Sequence, residues 1–300
     1  YSRRFFFSSS ENVGLSALIS GNFFEFVNKK GLNVALIDKY GEKIGSFVPQ
    51  NNRRNIKTEI KQLKVYDNEN ERLELAKKLE IASVSNIRAN LKYYARRKNS
   101  ERLQDAVIGI SRLIQQLNEA KDVTKLMTIE AQSRQKYYQC FNEILNDEDF
   151  IFEKRTRRPP EDPLNAMISF GNTLLYQRIA NEINRTSLDI RIGIVHAAGS
   201  RPESLNLDLA DLFKPILVDR TIFTLVNRKM LEATDFVEVE KNGIYLSREG
   251  KKQFIREFER KLFQKVQIDG LDRTYDYVIK NEIQKLKRFF EYGEKYKPYK

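Results

Sequence analysis

A chain of 300 residues with 41% hydrophobic residues, 19 Phe and 14 Tyr has the length for one large or two ordinary domains and enough apolar content to bury a core, which excludes a disordered chain. A net charge of +12 favours an anionic partner, nucleic acid before a membrane surface. The single Cys140 excludes an intrachain disulfide and a cysteine-rich zinc module, and no apolar run reaches the roughly 18 residues of a membrane span, so the expectation is a cytoplasmic protein with no membrane partner.

In chain order, FFEFVNKKG (23–31) predicts a short helix closed by Gly31, and LNVALID (32–38) with KIGSFV (43–48) predicts a hairpin turned at KYGE. Pro49 and QNNRRN then mark a boundary. Helical spacing of apolar residues follows over 56–80, 83–97, 100–118, 122–146, 163–186, 204–229, 248–266 and 272–291. One short hairpin interrupts it at FVEVEKNGIYLS, around Asn242 and Gly243. The tail YGEKYKPYK is expected to be mobile. The fold class is therefore α+β, with a small N-terminal β-rich domain over 1–50 and a large, otherwise all-α domain over 51–300.

Positive charge concentrates in two places. Residues 53–98 hold 13 Lys or Arg against 6 Asp or Glu, ending in Arg96 and Arg97, and read either as a solvated basic face or as a phosphate-binding one. EKRTRRPPEDPLNAMISFGNTLLY opens with Arg155, Arg157 and Arg158 beside two prolines, then enters a helix at Asp162 and Pro163. Asn165, Ser169, Asn172 and Tyr176 follow as one polar stripe, suited to buried hydrogen bonds or to supporting an active site.

His196 is the only histidine and stands in GIVHAAGSRPESLNLDLADLFKP, upstream of Asp208 and Asp211. On a helix capped by Ser204, those aspartates lie about 60° apart and are flanked by leucines on both sides. Two buried neighbouring carboxylates need a cation, whereas an N-terminal pair favoured by the helix dipole needs none. In DVTKLMTIEAQSRQKYYQCFNEIL the apolar stripe runs Val123, Leu126, Met127, Tyr137, Phe141 and Ile144, and Glu130 stands on it where Leu is expected. Glu130 is either a metal ligand or the partner of Arg134 one turn on. A glutamate, a histidine and an aspartate offer hard oxygens with one imidazole, which suits Mg²⁺ or Mn²⁺ better than structural zinc.

KLMTIEAQSRQKYY (125–138), the block from Glu153 to Tyr176, GIVHAAGSRPESLNLDLADLFKPILVDR (193–220) and the later NGIYLSREGKKQF together resemble the CRISPR adaptation integrase family, the metal-dependent DNA endonuclease and integrase of spacer acquisition. The resemblance covers roughly residues 22–290. It implies a β-sandwich-like N-terminal dimerisation domain, shortened here, and a helical catalytic domain. It implies a divalent metal, Mg²⁺ or Mn²⁺, on Glu130, His196 and Asp211, with Asp208 as a further catalytic acid able to position a second ion or a water. Thr128, Ile129 and Ala131 surround Glu130 where the family often has glycine. The implied partners are duplex and branched DNA, a second copy of the chain and the small CRISPR-associated partner protein of the adaptation complex. The implied reaction is strand transfer from a 3′-hydroxyl into the CRISPR array. The competing readings are a structure-selective nuclease or transposase-like integrase outside CRISPR, and a non-catalytic DNA-binding subunit.

Overall fold

The computed structural model describes residues 20–30, 34–37, 43–49, 55–145, 147–196, 203–239, 243–268 and 270–300. In the N-terminal region, α1 (Gly21–Lys29) precedes β1 (Val34–Ile37) and β2 (Lys43–Phe47), which pair antiparallel with Val34 opposite Phe47. The Phe24 and Phe47 rings meet at 5.0 Å, so α1 rests on the hairpin. The expected Gly31 stop, the KYGE turn and the boundary at 50–54 lie outside the described residues.

The helical part begins with α2 (Ile56–Asp67) and the 30-residue α3 (Glu69–Lys98). Here the structure departs from the sequence reading, which divided the helices near residue 81. The break falls at Asn68, whose side chain accepts the Asn70 and Glu71 N–H groups and so caps α3. Next come α4 (Glu101–Glu119), α5 (Val123–Tyr138) and α6 (Phe141–Leu145), so the expected 122–146 helix is two pieces. Met127, expected on the apolar stripe of α5, is exposed, and Ile129 and Ser133 are buried instead. α3 packs against α4, α5 and α8, and its Leu75, Leu79, Ile87 and Leu91 lie in the core. Each such side chain contributes about 1.5–3 kcal/mol by leaving water.

α7 (Pro163–Ile183) starts at the expected cap, where Asp162 accepts the Asn165 N–H. α8 (Leu205–Phe213), a π-helical turn (Lys214–Asp219) and α9 (Arg220–Asn227) then form one continuous run. Pro215 accounts for the wide turn. It has no N–H to give the Asp211 carbonyl and its ring crowds that carbonyl. α3 supplies the missing donors: Ser83 Oγ reaches the Asp211 carbonyl at 3.1 Å, Asn86 that of Leu212 at 2.9 Å, and Asn90 that of Pro215 at 3.0 Å.

β3 (Phe236–Val239) pairs with β4 (Gly243–Leu246) as expected, and α10 (Arg248–Leu262) follows. A further hairpin, β5 (Lys265–Ile268) with β6 (Leu271–Thr274), precedes α11 (Tyr275–Tyr292). The expectation of a mobile tail is corrected. Tyr296 is buried with its hydroxyl 2.5 Å from Glu282 Oε1, and Tyr299 stacks on Phe213 at 5.8 Å while its carbonyl accepts from Asn86. The tail therefore straps α11 to α8 and α3. Among the described residues, no helix is long and apolar enough to cross a membrane.

Candidate active site

The loop before α8 is folded around one carboxylate. Asp208 Oδ2 accepts the N–H groups of Ile194 (2.5 Å) and Val195 (3.1 Å), and Oδ1 accepts that of His196 (2.9 Å). Oδ1 also lies 2.7 Å from His196 Nδ1. With an acceptor at that distance the ring carries its proton on Nδ1, which leaves Nε2 as the lone-pair nitrogen. The Asp208 side chain is wholly enclosed, whereas His196 is 27% exposed. Burial works against the imidazolium, but the hydrogen bond to Asp208 and the charges of Asp208 and Asp211 outweigh it and raise the His196 pKa. Gly193 is required by this fold-back. A Cβ there would stand 2.5 Å from the His196 carbonyl oxygen, 2.7 Å from Ser204 Cβ and 3.2 Å from Asp208 Oδ2.

Asp211, one turn on, faces two cations. Its Oδ1 takes Lys214 Nζ at 2.6 Å and Arg134 Nη2 at 3.2 Å. Burial pushes the Asp211 carboxyl up, but Lys214 and Arg134 hold it below its ordinary value. Arg134 also binds Glu130 Oε1 at 2.6 Å through Nε and Nη2, so its guanidinium joins α5 to α8. Glu130 and Arg134 are thus the ion pair allowed for in the sequence, with Asp211 added as a third member. Lys214 lies 5.0 Å from the centre of the Tyr176 ring, which ties α7 to the same place. Hence Glu130, His196, Asp208 and Asp211 are brought together on α5, the loop and α8.

Sequence reasoning missed Glu80, on the buried side of α3 one turn before Ser83. Burial, then the charges of Glu130, Asp211 and Asp208, push its carboxyl well above the usual range, against Arg134. Its Oε2 and Arg134 Nη1 are both buried without a hydrogen-bond partner. The signal was present: Glu80, Ser83, Asn86 and Asn90 form a polar stripe at three- and four-residue spacing, and all four are buried.

Could these residues hold a metal? Among the described residues, no three of His, Cys, Asp and Glu are gathered as a metal would need, and Arg134 and Lys214 are seated on the carboxylates. The donor chemistry nevertheless fits a hard divalent ion, and the two seated cations mark a place built for positive charge.

The expected phosphate contacts separate into two kinds. Arg155 is held from within: its guanidinium meets the Thr156 carbonyl, Asn165 Oδ1 (2.7 Å) and Ser169 Oγ (2.8 Å), and burial lowers its pKa. Asn165 is fully buried and also reaches the Lys154 carbonyl and Asp162, and Asn172 lies half-buried on the same helix. Arg157, Arg158, Arg96 and Arg97 are exposed, with Arg97 Nη1 3.0 Å from the Tyr93 hydroxyl. Arg155→Ala is expected to lower Tm by several degrees, losing about 2 kcal/mol or more from buried, unpaired partners. Arg157→Ala should leave Tm alone and flatten the plot of log affinity for DNA against log salt by about 1. Thermal melts and binding titrations from 50 to 300 mM salt check both expectations.

A sequence profile for the family described as CRISPR associated protein Cas1 matches residues 13–260. The CRISPR-associated endonuclease Cas1 2 of Thermodesulfovibrio yellowstonii is 36% identical over 277 residues, spanning 92% of this chain and 83% of the relative. The CRISPR-associated endonuclease Cas1 of Haloferax volcanii is 36% identical over 272 residues, spanning 90% and 81%. The solved structure of a Cas1 protein from Thermotoga maritima matches with a TM-score of 0.82 at 33% identity, over 94% of this chain and 85% of that one. A casposase bound to integration product shares the fold, with a TM-score of 0.83 at 24% identity over 93% and 77%.

Proposed function

This chain belongs to the Cas1 family, and from that premise we propose how its own residues carry out the DNA integration and cleavage of CRISPR adaptation. Cas1 proteins are metal-dependent nucleases, and Glu130, His196 and Asp211 are the residues that would hold Mg²⁺ or Mn²⁺ here. When bound, the ion supplies Lewis-acid polarisation of the scissile phosphodiester. Asp208 acts one step back. With both oxygens engaged by the loop and the imidazole, it fixes the tautomer and angle of His196 rather than positioning a second ion. Lys214, 2.6 Å from Asp211 Oδ1, would bring a fixed positive charge to the place where the scissile phosphate binds. The exposed Arg157 and Arg158, with Arg96 and Arg97, grip the DNA backbone.

In this reading, the 3′-hydroxyl of a short DNA duplex attacks a phosphodiester at the repeat boundary. One P–O bond forms as another breaks, and the displaced strand leaves with a 3′-hydroxyl. Water in place of the attacking hydroxyl gives cleavage of branched DNA. The protein is taken as a homodimer that works with a small CRISPR-associated partner; the partner, though not the dimer, is supported by the fold shared, at 23% identity and a TM-score of 0.76 over 92% of this chain and 30% of that one, with a Cas6-RT-Cas1–Cas2 complex.

The observation that carries the site assignment is the imidazole locked by Asp208 next to carboxylates that Arg134 ties together across α5 and α8. The test is joining of a labelled duplex to a supercoiled plasmid bearing a CRISPR repeat, in Mn²⁺ or Mg²⁺. His196→Ala and Glu130→Gln should each lose joined product by about 100-fold or more while binding DNA within about twofold of wild type. Joining at wild-type rates by either variant sinks the assignment.

A further inference from the structure

A divalent ion on Glu130 and Asp211 and the Arg134 guanidinium compete for the same oxygens. Arg134 Nη2 lies 2.6 Å from Glu130 Oε1 and 3.2 Å from Asp211 Oδ1. An ion drawing on both carboxylates brings two positive charges against a third at contact distance, in a setting with little water to screen them. Arginine does not solve this by losing its proton, since the guanidinium stays charged in proteins and, against burial, the carboxylates beside Arg134 hold its proton more firmly still. Nor does it reach solvent easily, because its side chain is 12% exposed and packed between α5 and α8. A charged group moved within the interior needs a buried carboxylate to receive it, and a protonated one must release its proton to solvent as the cation arrives.

One such carboxylate feels the charge of Arg134. Glu80 is buried on the stretch of α3 that packs against both α5 and α8, and Ser83, one turn on, already hydrogen-bonds the Asp211 carbonyl. Glu80 Oε2 has no hydrogen-bond partner, and neither has Arg134 Nη1, a donor the guanidinium leaves unused while it serves Glu130 and Asp211. Around Glu80 the strongest charges are three carboxylates, Glu130, Asp211 and Asp208, and the cation among them is Arg134. The other buried carboxylate with an unpartnered oxygen, Asp219, is already answered by Tyr137, Lys214 and Arg155 in addition to Arg134.

We propose that Glu80 is a positioning residue that receives Arg134 when a divalent ion takes Glu130 and Asp211. The guanidinium is an internal counter-ion with two seats. On Glu130 and Asp211 it keeps the carboxylates gathered, and on Glu80 it leaves their oxygens to the ion while retaining a partner for its own charge. The proposal rests on the metal reading of Glu130, His196 and Asp211 given above. It gives Glu80 a role in the affinity of the site without making it a ligand.

Mn²⁺ affinity, read by calorimetry and by the electron paramagnetic resonance of free Mn²⁺, tests the proposal without reference to activity. Glu80→Gln should weaken Mn²⁺ binding by about tenfold, because Arg134 then has no second seat. Arg134→Gln removes the cation shared by both carboxylates, leaving Lys214 on Asp211, and should tighten binding several-fold. In the double variant the Glu80→Gln effect should shrink to within about twofold, since nothing remains to be received. Equal losses from Glu80→Gln with and without Arg134 would show that Glu80 acts by its own charge or as a ligand, and would overturn the proposal. So would an unchanged Glu80→Gln, or Asp219→Asn taking over its coupling to Arg134. A crystal structure of the wild type with Mn²⁺ avoids any folding defect of the variants: the guanidinium should lie on Glu80, and a guanidinium still bridging Glu130 and Asp211 beside the ion overturns the idea. His196→Ala separates the two readings. If it binds Mn²⁺ as tightly as wild type, or if wild type binds none, the metal assignment itself fails and the proposal falls with it.

Discussion

Asp208→Ala is expected to abolish metal-dependent strand transfer and to cost about 3–5 kcal/mol of stability, a double loss that no other single change at the site should produce. The stability cost comes from the backbone. Three N–H groups in sequence, from Ile194 to His196, end on this one carboxylate, and alanine leaves all three without an acceptor. Each unsatisfied buried donor costs about 1–3 kcal/mol, reduced where water enters the space left by the side chain. The catalytic cost comes from the ring, which loses the acceptor that fixes the Nδ1–H tautomer and its angle. Asp208→Asn should separate the two parts. Its one remaining oxygen keeps some of the N–H bonds but turns an NH₂ towards donors, so part of the stability should return and little of the activity. Urea denaturation beside the plasmid-joining assay reads both. An Asp208→Ala variant as stable as wild type yet inactive would make Asp208 a group of the chemistry itself, and an active Asp208→Ala would remove it from the mechanism.

The same residue shows what the sequence could and could not disclose. That Asp208 and Asp211 are buried was readable from the leucines bracketing them, and Glu130 stood out as an acid among apolar residues, although it is only half-buried. The assignment of roles was not readable. Two aspartates three residues apart look alike in a sequence, and only the path of the chain from Gly193 to His196 makes one a cradle for backbone N–H groups and leaves the other facing Arg134 and Lys214. Glu80 was passed over because 53–98 was read by its charge excess, which describes the outer face of α3 and hides the polar stripe on its inner one. The β5–β6 hairpin had a local cue in its glycine, since Gly270 takes φ +75° at the turn, but its strands are four residues long and border helical periodicity on both sides. The tail was misjudged for a different reason. Tyr296 and Tyr299 find their partners on α3, α8 and α11, and contacts across such sequence distances leave no local pattern.

Asp219→Asn is expected to change the pH dependence of stability strongly. Asp219 ends the π-helical turn that Pro215 forces after the site, and it is almost wholly buried with Oδ2 unpartnered. Burial pushes its carboxyl up to about 7, against the lowering influence of Arg134, the Tyr137 hydroxyl and Lys214. The unfolded chain releases this proton near the ordinary value of about 3.9, so between about pH 4 and pH 7 the folded protein holds a proton the unfolded chain has lost. Stability from this group is therefore greatest below about pH 4 and declines as pH rises towards 7, by on the order of 3–4 kcal/mol once the buried carboxylate is ionised. Asparagine keeps an oxygen for Tyr137 and cannot ionise. The variant should match or slightly trail wild type at pH 5 and exceed it at pH 8.5, the gap in Tm widening by about 5 °C or more between those values. Melting curves at half-unit steps of pH measure it directly. A constant gap means that Asp219 does not change its ionisation on folding. A gap that widens towards acid means that it is held as a carboxylate, with Arg134 and Lys214 rather than burial deciding its state, and the charge balance behind the active site is then the reverse of the one argued here.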